Sequence, residues 1–213
     1  MPVYNALMPA ECVSPLPLSA LILAGGAGTR MGGQDKGWLL WQGHPLIAHA
    51  LARLNGQVRE ILISANRNQA DYAALGCQVI QDDTPGYLGP LQGLRQGLRH
   101  ANEDWLFTQP VDAPRLPEDV VQRLWQARND YPLVMARSPS GPQPLISLCH
   151  GGLLPLLDAY LARGERRVQG WYANVPHIWV DFTEAEMFNC NHPQDLSPDL
   201  LDSGPYPFRD DAP

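Results

Sequence analysis

Lysine is almost missing from this sequence: of 15 basic side chains only Lys36 is a lysine, and the others are arginines. Positive charge is scarce too, with 22 acidic residues and a net charge of −7. A general nucleic-acid binder needs a basic face, so that class is excluded, whereas a small anion needs only a local cluster of donors. Long apolar runs are also absent. None reaches the roughly 18 residues that cross a bilayer, so no membrane partner is expected. Residues 1–17 hold no basic side chain, hence no charged start of a secretory signal, and read as a loose extension. The four cysteines, Cys12, Cys77, Cys149 and Cys190, are far apart with no Cys-x-x-Cys pair. They read as reduced thiols of a cytoplasmic protein rather than as bridges or a zinc site. No internal repeat is visible.

What remains suits one soluble globular domain: 213 residues, 45% hydrophobic and 17% charged, enough to bury roughly 70% of the unfolded surface. Its centre is the stretch 18–37. An apolar strand, 21–23, breaks into a loop holding Gly25, Gly26, Gly28, Gly32, Gly33 and Gly37. Glycines let backbone N–H groups close on a bulky anion. Arg30 and the lone Lys36 bring cations to the same loop, with Asp35 just before the lysine. An ammonium is a compact point charge that fits between phosphate oxygens, which a planar guanidinium meets differently. The loop does not open directly into a helix, as a dinucleotide fingerprint requires, and Gly37 follows the lysine where a P-loop has Ser or Thr.

Beyond the loop, periodicity predicts a helix over 45–54, a strand over 58–63, a short helix over 69–75 and a strand over 77–80. Pro90 opens a helix with Leu91, Leu94 and Leu98 on one face and Gly93 and Gly97 on a bare one. That bare face suits a ligand, another backbone, or close packing on the sheet. A strand over 105–108, a helix over 117–128 and a strand over 133–136 follow. A Ser-, Pro- and Gly-rich loop over 138–142 precedes an amphipathic helix through Leu153, Leu157 and Leu161, and a short strand covers 178–180. The domain spans 18–196, with 197–213 a disordered tail. Alternating strands and helices predict an α/β fold with a mainly parallel sheet and helices on both faces. Ligands bind such sheets at the carboxyl ends of the strands, where the glycine loop, Ser64, Asp82 and Asp112 all fall. Asp112, in Gln-Pro-Val-Asp-Ala-Pro, suits a magnesium ligand and equally a turn or helix cap.

The signature Leu-Ala-Gly-Gly-x3-Arg-Met-Gly-Gly-x-Asp-Lys, residues 23–36, resembles the molybdenum cofactor guanylyltransferase family, over about 18–196. The resemblance implies a single Rossmann-like nucleotidyltransferase domain. It transfers GMP from GTP to the phosphate of the molybdenum-pterin cofactor and releases pyrophosphate. It places nucleotide contacts at Leu23, Ala24, Gly25, Gly26, Lys36, Ser64, Asp82, Gly89, Gly93 and Asp112. Asp112 also holds Mg²⁺, with Mn²⁺ an alternative. Lys36, Arg30 and Asp112 then form the catalytic set, and Arg166, Arg167, Asn189 and Asn191 the pterin side. Transient contacts with cofactor-delivering and molybdoenzyme-maturation proteins are implied as well. Departures exist: Ser64 stands where relatives often have asparagine, residues 27–29 lack a basic side chain that some carry, and Gln143 replaces a histidine. A cytidylyltransferase relative is the nearest rival, though it usually has Ala-Ala-Gly where this chain has Ala24-Gly25-Gly26. A sugar-phosphate nucleotidyltransferase fits the C-terminal motifs less well, and a non-catalytic nucleotide or pterin binder is the alternative of a different class.

Overall fold

Every residue from Leu18 to Ile22 is closed to solvent, and a strand buried on both faces belongs inside a sheet covered by helices on each side. A computed structural model, which describes residues 14–26, 34–83, 89–190 and 195, has this arrangement. In chain order the elements are β1 (Leu16–Leu23), a 3-10 turn Lys36–Trp38, the small hairpin β2 (Leu40–Trp41) and β3 (His44–Pro45), and α1 (Leu46–Leu54). Then come β4 (Val58–Ser64), α2 (Gln69–Ala73), β5 (Gln78–Ile80), α3 (Pro90–His100), β6 (Trp105–Pro110) and α4 (Val120–Ala127). The chain continues through β7 (Leu133–Ser138), β8 (Gly141–His150), α5 (Leu154–Ala162), α6 (Val168–Tyr172) and β9 (His177–Asp181). The main sheet is ordered β5-β4-β1-β6-β8-β7-β9. β5, β4, β1 and β6 pair in parallel. β8 runs antiparallel to both its neighbours, and β9 is parallel to β7. This is a single α/β domain with a mainly parallel sheet, as the alternation predicts.

The side chains of β1 alternate between two cores. Leu18, Ala20 and Ile22 join α1 and α4 through Leu46, Ile47, Leu54, Val120 and Leu124. Leu21 joins α3, α5 and α6 through Leu91, Leu94, Leu157 and Trp171. Period-2 strands between amphipathic helices give helices on both faces. The glycines of α3 serve this packing. A Cβ at Gly97 would lie 2.6 Å from Leu21 Cδ2 and 2.8 Å from Leu106 Cδ2, both in side chains with no exposure. Gly97→Ala is therefore expected to destabilise the fold by up to about 2 kcal/mol: overpacking costs about 1–3 kcal/mol, offset by about 1 kcal/mol of helix propensity. An unchanged or raised Tm would contradict this.

Two local expectations are corrected. β1 begins at Leu16, so Leu16 and Pro17, assigned to the extension, lie in the sheet; the register shifts between Leu16 and Ser19, where proline has no N–H to give the ladder. The segment 138–142, expected as a loop, is a tight hairpin turn with its ends in the sheet: β7 reaches Ser138 and β8 begins at Gly141, whose φ of 134° suits glycine. β8 itself is hidden in the sequence by Pro142 and Pro144. The ladder accommodates them with a bulge, Met135 facing Ser147 while Ala136 faces Gln143. Residues 1–13, Arg30, Asn191 and the tail 197–213 lie outside the described residues. Among the described residues no helix is long and apolar enough to cross a membrane.

Candidate active site

At the carboxyl ends of β1, β4 and β6 the backbones are stitched together: Ala24 N–H donates to Ser64 O at 2.9 Å and Val111 N–H to Leu23 O at 3.1 Å. The chain then leaves the sheet at three neighbouring points, and a pocket of about 320 Å³ opens between them. Its lining contains Leu23, Ala24, Gly25, Gly26, Lys36, Ser64, Asp82, Gly89, Gly93 and Asp112. The fold thus gathers, around one cavity, all the sequence-derived nucleotide positions. It adds Asn66, Pro90, Pro110, Val111 and Leu145, the last from the bulge in β8.

Lys36 crosses the mouth of the pocket to Asp112. Its Nζ lies 2.6 Å from Asp112 Oδ2, with the side chains 21% and 17% exposed. The pair is shielded yet reachable. Lys36 Nζ also donates to Cys190 O at 3.5 Å, and Cys190 N–H donates to Asp112 O at 2.8 Å, so the C-terminal segment closes on the same aspartate. Burial, helped by the Asp195 and Asp112 carboxylates, pushes the Cys190 thiol up to about 12. It stays protonated at neutral pH and is no nucleophile.

On the other side of the pocket, Asp82 follows β5. Its N–H donates to Asn66 Oδ1 at 3.0 Å, and Asn66 Nδ2 donates to Asp82 Oδ2 at 2.8 Å. Burial raises the Asp82 pKa against the stabilising amide bond. Asp82 Oδ1 is buried with no hydrogen-bond partner among the described residues, an acceptor that an N–H or O–H of a ligand would satisfy. Asn66 is the site residue that the sequence reading passed over. Ser64 ends β4 and Asn66 lies in the bend beyond it, yet both side chains approach Gly25, where a Cβ would lie 3.3 Å from Asn66 Nδ2 and 3.9 Å from Ser64 Oγ. Asn66 thus supplies a side-chain amide beside Ser64. Ser64 is buried, and a Cβ at Gly93 would come within 2.8 Å of its Oγ and of Leu23 Cδ2. Gly93 thus brings the start of α3 close to the pocket floor. At Gly26 a Cβ would meet nothing within 4 Å among the described residues. Gly89 caps α3 with a φ of 93°, a conformation that glycine adopts freely.

Of the residues assigned to a pterin side, Arg166, Arg167 and Asn189 are not in the pocket lining. Arg166 Nη1 donates to Leu161 O and Glu165 O, each at 2.7 Å, closing the end of α5. Arg167 precedes α6, and its carbonyl accepts from the Tyr160 hydroxyl at 2.9 Å. A Cβ on Gly89 would lie 3.8 Å from Arg166 O, so this turn borders the pocket through its backbone. Asn189 Oδ1 is buried without a partner among the described residues, next to Cys190 and hence to Asp112.

Among the described residues, neither histidine nor cysteine lines the pocket, and no group of three or more His, Cys, Asp and Glu stands together as a metal cluster. Magnesium does not need such a cluster, because it keeps several waters and is commonly held by one or two carboxylates together with substrate phosphates. Asp112, a partly exposed carboxylate beside a lysine at the pocket mouth, fits that donor set.

The family model of the MobA-like NTP transferase domain matches residues 20–176. The molybdenum cofactor guanylyltransferase of Vibrio cholerae is 41% identical over 188 residues, covering 87% of this chain and 92% of that protein. The protein of the same name from Serratia proteamaculans is 43% identical over 180 residues, with 84% and 91% covered. Among solved structures, molybdopterin-guanine dinucleotide biosynthesis protein A of Archaeoglobus fulgidus aligns with a TM-score of 0.70 at 20% identity, over 84% of this chain and 94% of that one. The inositol-1-phosphate CTP transferase of T. maritima gives a TM-score of 0.71 at 14% identity, over 85% and 92%. At such identities these two likenesses concern the fold.

Proposed function

The chain belongs to the MobA-like NTP transferase family, and from that premise we propose that it transfers GMP from GTP to the phosphate of a molybdenum-pterin cofactor, releasing pyrophosphate. The observation that carries the reading is one pocket at the strand ends that holds the Gly25-Gly26 backbone, the lone lysine and Asp112 together. The base assignment is supported by the curated relatives, named guanylyltransferases, and by Ala24-Gly25-Gly26 in place of Ala-Ala-Gly.

In this reading Gly25 and Gly26 bring backbone close to the phosphates, and Lys36 sets a point charge against their oxygens. Asp82 and Asn66 bind the nucleoside portion through the acceptor left open on Asp82. Asp112 holds Mg²⁺ when it binds, and the ion's chemistry there is to neutralise phosphate charge. The attacking group is a phosphate monoester whose second pKa is about 6, so it is largely dianionic at neutral pH and needs no protein base. Catalysis is positioning and charge stabilisation. Arg30 would add a cation from the loop, and Arg166, Arg167, Asn189 and Asn191 would face the pterin. We place the reaction in the cytoplasm, with transient contacts to cofactor-delivering and molybdoenzyme-maturation proteins.

The test is transfer from α-labelled GTP and, in parallel, α-labelled CTP to the pterin phosphate with Mg²⁺ present. Label from GTP with equimolar pyrophosphate is the expected result. Label from CTP would overturn the base. Nucleotide binding with no transfer to active pterin from either would overturn the enzymatic reading in favour of a carrier.

A further inference from the structure

Asp35 precedes the site lysine, and its side chain is only 5% exposed although it lies on a loop stem. It accepts from Gly37 N–H at 3.1 Å, from the Tyr72 hydroxyl at 2.7 Å and from Asn68 Nδ2 at 2.9 Å. Arg67 Nε lies 3.8 Å from its second oxygen. The Arg67 Nη2 group donates to Gln34 O at 2.8 Å and to Gly26 O at 3.4 Å, carbonyls on the two stems of the glycine-rich loop. Five anchoring contacts thus come from one short segment, 67–72, and meet the stems on both sides. Burial, reinforced by the Asp35 bond, drives the Tyr72 phenol pKa upward, so its O–H remains a donor. Gly37 is needed for this contact: a Cβ there would lie 2.2 Å from the Tyr72 oxygen.

We propose that Asp35 is a positioning residue for Lys36, held by a clasp of Arg67, Asn68 and Tyr72 that ties both loop stems to the start of α2. The carboxylate precedes the lysine in sequence and its Gly37 bond follows it, so the Lys36 backbone is pinned on both sides. A flexible four-carbon side chain then starts from a fixed point and brings Nζ to Asp112. The clasp also joins the lysine stem to the strand end that carries Ser64 and Asn66, setting the phosphate and nucleoside sides of the pocket at a fixed separation. The inference rests on the reading of Lys36 as a phosphate contact.

A double-mutant cycle separates the two. GTP affinity is measured by titration calorimetry for the full chain, Tyr72→Phe, Lys36→Ala and the double variant. Tyr72→Phe removes only the O–H given to Asp35. It is expected to weaken GTP binding about tenfold in the parent and less than about twofold in the Lys36→Ala background, because it acts through the lysine. Asn68→Gly is the second variant: it keeps a backbone already at a φ of 51°, removes the other donor without touching the core, and should show the same dependence. Equal losses in both backgrounds, or no loss in the parent, would overturn the positioning role. If Lys36→Ala itself left GTP affinity unchanged, the phosphate role of the lysine would fall first, a result distinct from either of those.

Discussion

Asp112→Ala is expected to lower kcat/KM for transfer by at least roughly 10²–10³-fold, the scale seen when one charge-stabilising group leaves a preorganised site. The fold should survive. Asp112 lies just beyond β6, its carbonyl is held by Cys190 N–H at 2.8 Å, and its side chain is partly exposed, so alanine leaves the strand end in place. Loss of the 2.6 Å ion pair with Lys36 should cost about 1 kcal/mol or less, because the pair sits at a solvent-reached mouth. Lys36 keeps its 3.5 Å contact with Cys190 O. Thermal unfolding and steady-state kinetics over a range of Mg²⁺ concentrations check both halves. Near-parent turnover at saturating Mg²⁺ would remove Asp112 from the metal role, and collapse of the fold would recast it as structural.

Lys36→Ala should produce a loss of similar size, roughly 10²–10³-fold in kcat/KM, as removal of a group that meets developing phosphate charge. Lys36→Arg is the finer experiment. A guanidinium keeps the charge but spreads it over a plane, and it would pair with Asp112 through two parallel N–H donors rather than one ammonium. That geometry competes with phosphate for the cation and with metal for the carboxylate. Turnover of Lys36→Arg is therefore expected to stay well below the parent, nearer the alanine variant. Parent-like rates would show that charge alone matters at this position, and that the scarcity of lysine elsewhere carries no functional meaning.

Both predictions start from residues visible in the sequence, for a physical reason. Lys36 and Asp112 stand next to strong local signals: a glycine-rich break after an apolar strand, and a proline-flanked strand end. Asn66 was equally near, two residues past Ser64, but alternation alone does not say which of several polar residues at a strand end meets a cavity. Leu145 was out of reach. Its strand carries two prolines, and only the hydrogen bonding of β7 and β8 to each other reveals the bulge that brings it to the pocket. The glycines of α3 were legible as a bare face but not in purpose: at Gly97 the contacts with Leu21 and Leu106 decide for close packing on the sheet, while Gly93 packs on Ser64 and also lines the pocket.

Local chemistry accordingly determined the α/β alternation, the buried central strand, the glycine loop and the identity of its cation, because periodicity, turn residues and charge scarcity act over a few neighbours. Tertiary structure alone decided which distant groups meet: Lys36 with Asp112 across 76 positions, Asn66 with Asp82 across 16, and Asp35 with Tyr72 across 37. The order of strands in the sheet brings their carboxyl ends side by side, and a linear pattern does not specify that order.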